Sequence, residues 1–93
     1  MNPTHAVYKE TLNGELTTLE IPGGVDARIL HAEVQHDHVR LWFLCDPTLP
    51  VAPRRFHVVP TGLVAVDPHA EEYIGTVTFD EKRLVFHVFE VTR

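Results

Sequence analysis

Ninety-three residues suffice for one domain, 1–93, around a single core, since a chain of this size buries only about 60–68 % of its unfolded surface. Thirteen Asp and Glu against eight Lys and Arg leave a net charge of −5 with histidine neutral, and protonating all seven histidines would raise it by seven, to +2. The absence of serine and the solitary Cys45 exclude a serine hydrolase, a disulfide scaffold and a four-cysteine zinc site within one chain.

The strand signal runs nearly throughout, because Val, Thr, Phe and Ile cluster in short runs between turn residues. Strands are predicted at 6–12, 16–21, 28–35, 38–45, 54–59, 73–79 and 84–91. Asn13-Gly14 separates the first two, and Pro22-Gly23-Gly24 closes the second with no helix expected after it. Residues 28–45 read as a hairpin with its turn at His36-Asp37. Gln35 then faces His38, Val34 faces Val39, Ala32 faces Leu41 and Leu30 faces Phe43, while Glu33 meets Arg40 and His31 meets Trp42 on the other face.

Pro47, Pro50 and Pro53 recur at the polyproline period, which predicts a stiff linker delivering Arg54 and Arg55 to the next strand. Asp67 is expected to cap a short helical turn near Pro68–Glu72, with Asp67, Glu71 and Glu72 forming a solvated acidic loop. The last hairpin turns at Asp80-Glu81-Lys82-Arg83. It sets Phe79 opposite Leu84, Thr78 opposite Val85, Val77 opposite Phe86, Thr76 opposite His87 and Ile74 opposite Phe89. Apolar side chains on both faces of 84–91 predict a strand covered on both sides. The whole reads as an all-β fold, a small antiparallel barrel or sandwich of six to seven strands.

The candidate contact residues are Trp42, Arg54, Arg55, His57, Thr61 and His87. Arg54-Arg55 is the one adjacent pair of cations, suited to a phosphate or carboxylate in a local pocket. Thr61-Gly62 offers a hydroxyl beside backbone amides, a second anion-binding feature. His87 lies among Val85, Phe86, Val88 and Phe89, so it is expected as a packed histidine whose protonation couples to folding or assembly. His36 and His38 flank Asp37 and supply the alternative reading of a histidine metal cluster, completed by His5 or His69. Cys45 continues an apolar strand face and reads as a small buried hydrophobe. No catalytic residue, no metal ligand and no cofactor is expected.

The acidic balance argues against general nucleic-acid binding, and the short apolar runs fall far below the roughly 20 residues that span a bilayer. The start, Met-Asn-Pro-Thr-His, lacks the regions of a signal peptide, so a cytoplasmic location is expected. Open strand edges and the two-faced last strand predict a homo-oligomer.

Arg28-Ile-Leu-His, Leu41-Trp42-Phe-Leu with Asp46-Pro47, Arg55-Phe56, Thr61-Gly62, Tyr73-Ile-Gly-Thr-Val77 and His87-Val-Phe-Glu90 follow one another in order. This layout, across residues 6–90, resembles a family of short, functionally uncharacterised proteins of bacteriophages and bacterial genomes. The resemblance implies a small β-rich domain without assigned catalytic residues. It also implies a protein that acts stoichiometrically, as an antagonist of a host defence system, by binding a host protein or by sequestering a small nucleotide or other anionic ligand.

Overall fold

The computed structural model describes residues 2–79, 81 and 83–93. Among the described residues seven strands follow in order: β1 (Ala6–Leu12), β2 (Leu16–Pro22), β3 (Arg28–Gln35), β4 (His38–Cys45), β5 (Val51–Pro60), β6 (Glu71–Phe79) and β7 (Leu84–Val91). They form two antiparallel sheets, ordered β1-β4-β3 and β2-β5-β7-β6, packed face to face as a sandwich. The all-β expectation holds. Strand alternation builds the core most plainly in β4, where Val39, Leu41, Phe43 and Cys45 are buried and Arg40, Trp42 and Leu44 face outward. Phe56, Ile21, Val77 and Val88 meet them from the four-stranded sheet. Full burial of a side chain the size of Phe43 or Phe56 contributes about 1.5–3 kcal/mol.

The 28–45 hairpin forms in the expected register from Gln35↔His38 through His31↔Trp42. Its central residues His36 and Asp37 have φ of 53° and 64°, the positive values that a two-residue hairpin turn needs to match strand twist. Beyond His31 the expectation fails, because Ile29 and not Leu30 stands opposite Phe43. A β-bulge takes up Leu30, which is exposed, while Ile29 packs on the core.

The 73–91 hairpin shows the same deviation. Phe79↔Leu84 through Thr76↔His87 pair as expected, then a bulge at Ile74 sets Tyr73 opposite Phe89. Of its connecting turn, Asp80 and Lys82 lie outside the described residues. The two bulged strands, β3 and β6, are edges of different sheets and lie against each other. Added local twist keeps such edges from pairing with other chains.

Three further expectations are corrected. The proline-rich connector is a turn followed by strand. Asp46 Oδ1 accepts from the Thr48 backbone N–H and hydroxyl, and β5 begins at Val51, with Pro53 opposite Glu20. Pro53 is tolerated because β7 pairs with β5 only from Arg55 onward, leaving one neighbour at that point. A single 3-10 turn, Gly24–Asp26, does follow Pro22-Gly23. Asp67 caps a turn through the His69 N–H at 2.9 Å, but no helix follows and β6 starts at Glu71.

Candidate functional site

Arg54 and Arg55 part company, since adjacent strand residues point to opposite faces. Arg54 turns inward at the end of the sandwich that the 3-10 turn covers. Its Nε and Nη2 donate to the two carboxylate oxygens of Glu90 at 2.6 and 2.7 Å, and Nη1 donates to the carbonyls of Gly24 and Ala27. Both side chains are 13 % exposed. This fork-to-fork pair and the two carbonyls engage four of the guanidinium's five N–H groups, a structural role. Arg55 stays exposed on the outside of the four-stranded sheet. The two cations therefore do not converge on one anion.

Arg55, His57 and Val59 of β5 share the outer face of that sheet with His87, Phe89 and Val91 of β7. His57 Nδ1 lies 2.6 Å from Glu71 Oε1, and its Nε2 lies 4.0 Å from Glu15 Oε1. An ionised carboxylate only accepts, so Nδ1 carries the proton in this bond. Glu71 Oε2 accepts from the Asp67 N–H at 2.9 Å. Glu71 is 7 % exposed and His57 12 %, so Glu71 departs from the expected solvated acidic loop, while Asp67 and Glu72 are exposed as expected. The carboxylate fastens the start of β6 to β5 and to the preceding turn.

His87 is half-buried on the outer face, and Val88 takes the core position beside it. Both of its ring nitrogens have hydroxyl partners: Thr61 Oγ1 at 2.7 Å from Nε2 and Thr76 Oγ1 at 3.0 Å from Nδ1. Tyr73 Oη continues the chain to Thr76 at 2.7 Å. Hydroxyls serve as donor or acceptor, so neither nitrogen is left without a partner in either protonation state. Thr61, expected as an anion contact, is thus tied to His87, and its N–H donates to the Val85 carbonyl at 3.3 Å. The 61–70 crossover is fastened at both ends, the second by the Thr92 N–H to Ala70 O at 2.7 Å. Val59, although on the outer face, is 3 % exposed.

Trp42 stands on the outer face of the three-stranded sheet between its cross-strand neighbours Lys9 and His31. The His31 ring centroid is 5.8 Å away, as the register predicts, and Lys9 Nζ lies 5.9 Å from the indole centroid. Lys9 also donates to Gln35 Oε1 at 2.7 Å. Among the described residues no three His, Cys, Asp or Glu side chains are grouped to hold a metal ion. His38 instead directs Nδ1 to the His36 carbonyl at 2.9 Å.

The concave feature lies elsewhere. The β1–β2 and β3–β4 turns and the strand ends at Phe79 and Leu84 fall at one end of the sandwich, where the sheets part to leave a cleft of about 630 Å³. Leu12, Val39, Val58, Phe79 and Phe86 form its walls, with Pro60 and Leu63 beside them and Asn13, Gly14, Glu15, Asp37 and His38 also lining it. None of the six residues singled out from sequence lines it. The available signal was the run of inward apolar residues ending at strand tips: Leu12, Val39, Phe79 and Phe86. Arg54 lines a smaller recess of about 290 Å³ with Tyr73 and Glu90, where its charge is already matched.

Fold and surface together define a two-sheet β-sandwich domain closed at one end and open at the hairpin end. A family model described as "Domain of unknown function (DUF7352)" matches residues 3–93, and the chain belongs to that family. No curated protein and no solved structure matches it. Among the described residues no helix is long and apolar enough to cross a membrane.

Proposed function

We propose that the protein acts without catalysis, by stoichiometric binding of a host protein in the cytoplasm, as a phage- or prophage-associated antagonist of a bacterial defence system. The phage setting and the defence role rest on the motif layout from Arg28 to Glu90. The observation that carries the binding reading is the ridge of Lys9, Trp42 and His31 on the three-stranded sheet. Trp is among the residues that dominate interface energetics, and this indole is already held on both sides by its neighbours, so little freedom is lost on docking. The reactive side chains, by contrast, are engaged within the fold: Arg54 with Glu90, His57 with Glu71, Thr61 with His87. That pattern favours a protein partner over an anion held by Arg54, Arg55 and Thr61.

Trp42 and Arg55 lie on outer faces of different sheets, which separates two roles. Trp42 serves the partner. Arg55 stands on the face carrying Tyr73, Phe89 and exposed Leu16, the surface suited to a second copy of the chain. Affinity isolation of the tagged protein from host cells tests this assignment. A partner in fixed ratio, lost with Trp42→Ala and kept with Arg55→Ala, is expected. Retention in Trp42→Ala, or intact nucleotide released on denaturation in place of a protein, would overturn it.

A further inference from the structure

We infer that the cleft at the hairpin end binds a small amphiphilic cation, an unbranched apolar chain ending in an ammonium group. This site is independent of the Trp42 ridge and does not rest on the protein-binding reading. The volume, about 630 Å³, falls among those of small-molecule sites, and the walls are the inward side chains of both sheets. An apolar chain replaces water there without leaving a polar group unpaired. Each methylene buried is expected to strengthen binding about four-fold.

The lining selects the head group. Among the described residues, its acidic members are Glu15 and Asp37 and none is Lys or Arg; the Glu15 carboxylate, 73 % exposed, also lies 4.0 Å from His57 Nε2. His38 adds an acceptor of known tautomer. Its Nδ1 faces the His36 carbonyl, which only accepts, so in the neutral ring the proton sits on Nδ1 and Nε2 keeps its lone pair. Acidic residues and an imidazole acceptor in the lining suit an ammonium's N–H donors. The same groups repel a carboxylate or phosphate head. The cleft opens to solvent at the turns, so the ammonium stays at the mouth and avoids the cost of burying a charge. The net charge of −5 draws cations from further out.

The probes are octylammonium, octanoate and 1-octanol, titrated calorimetrically at pH 7.5 and low ionic strength with amide shifts followed by NMR. Octylammonium is expected to bind about five-fold or more tightly than octanoate, a gap that narrows in 0.5 M salt. Shifts should centre on Leu12, Val39 and Phe86. Glu15→Gln and Asp37→Asn should each weaken octylammonium about two- to five-fold while leaving octanol unchanged. Both positions are exposed, and Asn accepts the positive φ at 37, so these variants keep the fold. Leu63→Trp, which fills the mouth from the crossover, should abolish binding of all three. Octanoate or octanol binding as tightly as octylammonium would overturn the assignment of a cation, and shifts confined to other surfaces would overturn the site.

Discussion

Arg54 shows how a residue that looks like a ligand contact can be a structural one. Its donors meet the Glu90 carboxylate and two carbonyls of the segment 24–27, so the closed end of the sandwich depends on it. Arg54→Met leaves Glu90 without its counter-charge and is expected to cost about 3–5 kcal/mol by urea denaturation, whereas Arg54→Met with Glu90→Leu recovers most of that loss. A double variant no more stable than the single would contradict the pairing. Gly24 supplies one of those carbonyls at φ +53°, and a Cβ there would lie 2.8 Å from that of Ala52. Gly24→Ala should therefore destabilise by about 1–3 kcal/mol, measured the same way. Two neighbours in sequence titrate in opposite directions for separate reasons. The Thr48 hydroxyl, and then its backbone N–H, hold the Asp46 carboxyl below its ordinary value of 3.8. Folding thus favours the ionised form, giving stability that is present at neutral pH and lost as the pH falls through the lowered value. Thr48→Val should raise the Asp46 midpoint followed by side-chain carbonyl NMR, and an unchanged midpoint would contradict the bond. Burial, with the Asp46 charge adding to it, raises the Cys45 thiol above 9.0. Native protein should therefore react with a thiol reagent at pH 7 only as fast as it opens.

At the scale of elements, hairpin registers were legible wherever one register alone matched apolar to apolar. Val34↔Val39, Ala32↔Leu41 and Val77↔Phe86 are of this kind, and all three form. The bulges were not legible, because either register satisfied the pattern there. Ile29 and Leu30 both offer Phe43 an apolar partner, and Tyr73 and Ile74 both offer Phe89 one. Only the packing of edge β3 against edge β6 decides between them, and that contact joins residues far apart in sequence. The divergence of Arg54 and Arg55 was implicit in the two-residue period of the predicted strand. The turn at His36-Asp37 carries two non-glycine residues at positive φ, a cost that Asn-Gly would relieve. His36→Asn with Asp37→Gly is expected to stabilise the fold by about 1 kcal/mol in urea denaturation. A loss of stability would mean that the turn is held by contacts of these side chains.

The whole molecule has two outer faces and two unlike ends. The 3-10 turn and the Arg54–Glu90 pair close one end, while the β1–β2 and β3–β4 turns frame the cleft at the other. The cleft arises where several strand tips from both sheets meet, so no local stretch of sequence announces it. The outer faces differ too, with Trp42, Lys9 and His31 on one and Tyr73, Phe89, Leu16 and Arg55 on the other. Tyr73 is 61 % exposed although its ring stacks edge-on with Phe89 at 5.7 Å. A second copy on this face predicts a dimer or larger ring by light scattering at micromolar concentration, reduced to the single chain by Tyr73→Glu. A single-chain mass for the parent protein would show that this face binds no second copy. The claim that this domain works by binding a protein is tested most directly by native mass spectrometry of the complex taken from producing cells. One host protein in fixed ratio with the chain, and its loss in Trp42→Ala, are expected. The chain alone, or the chain carrying only a nucleotide, would contradict that claim.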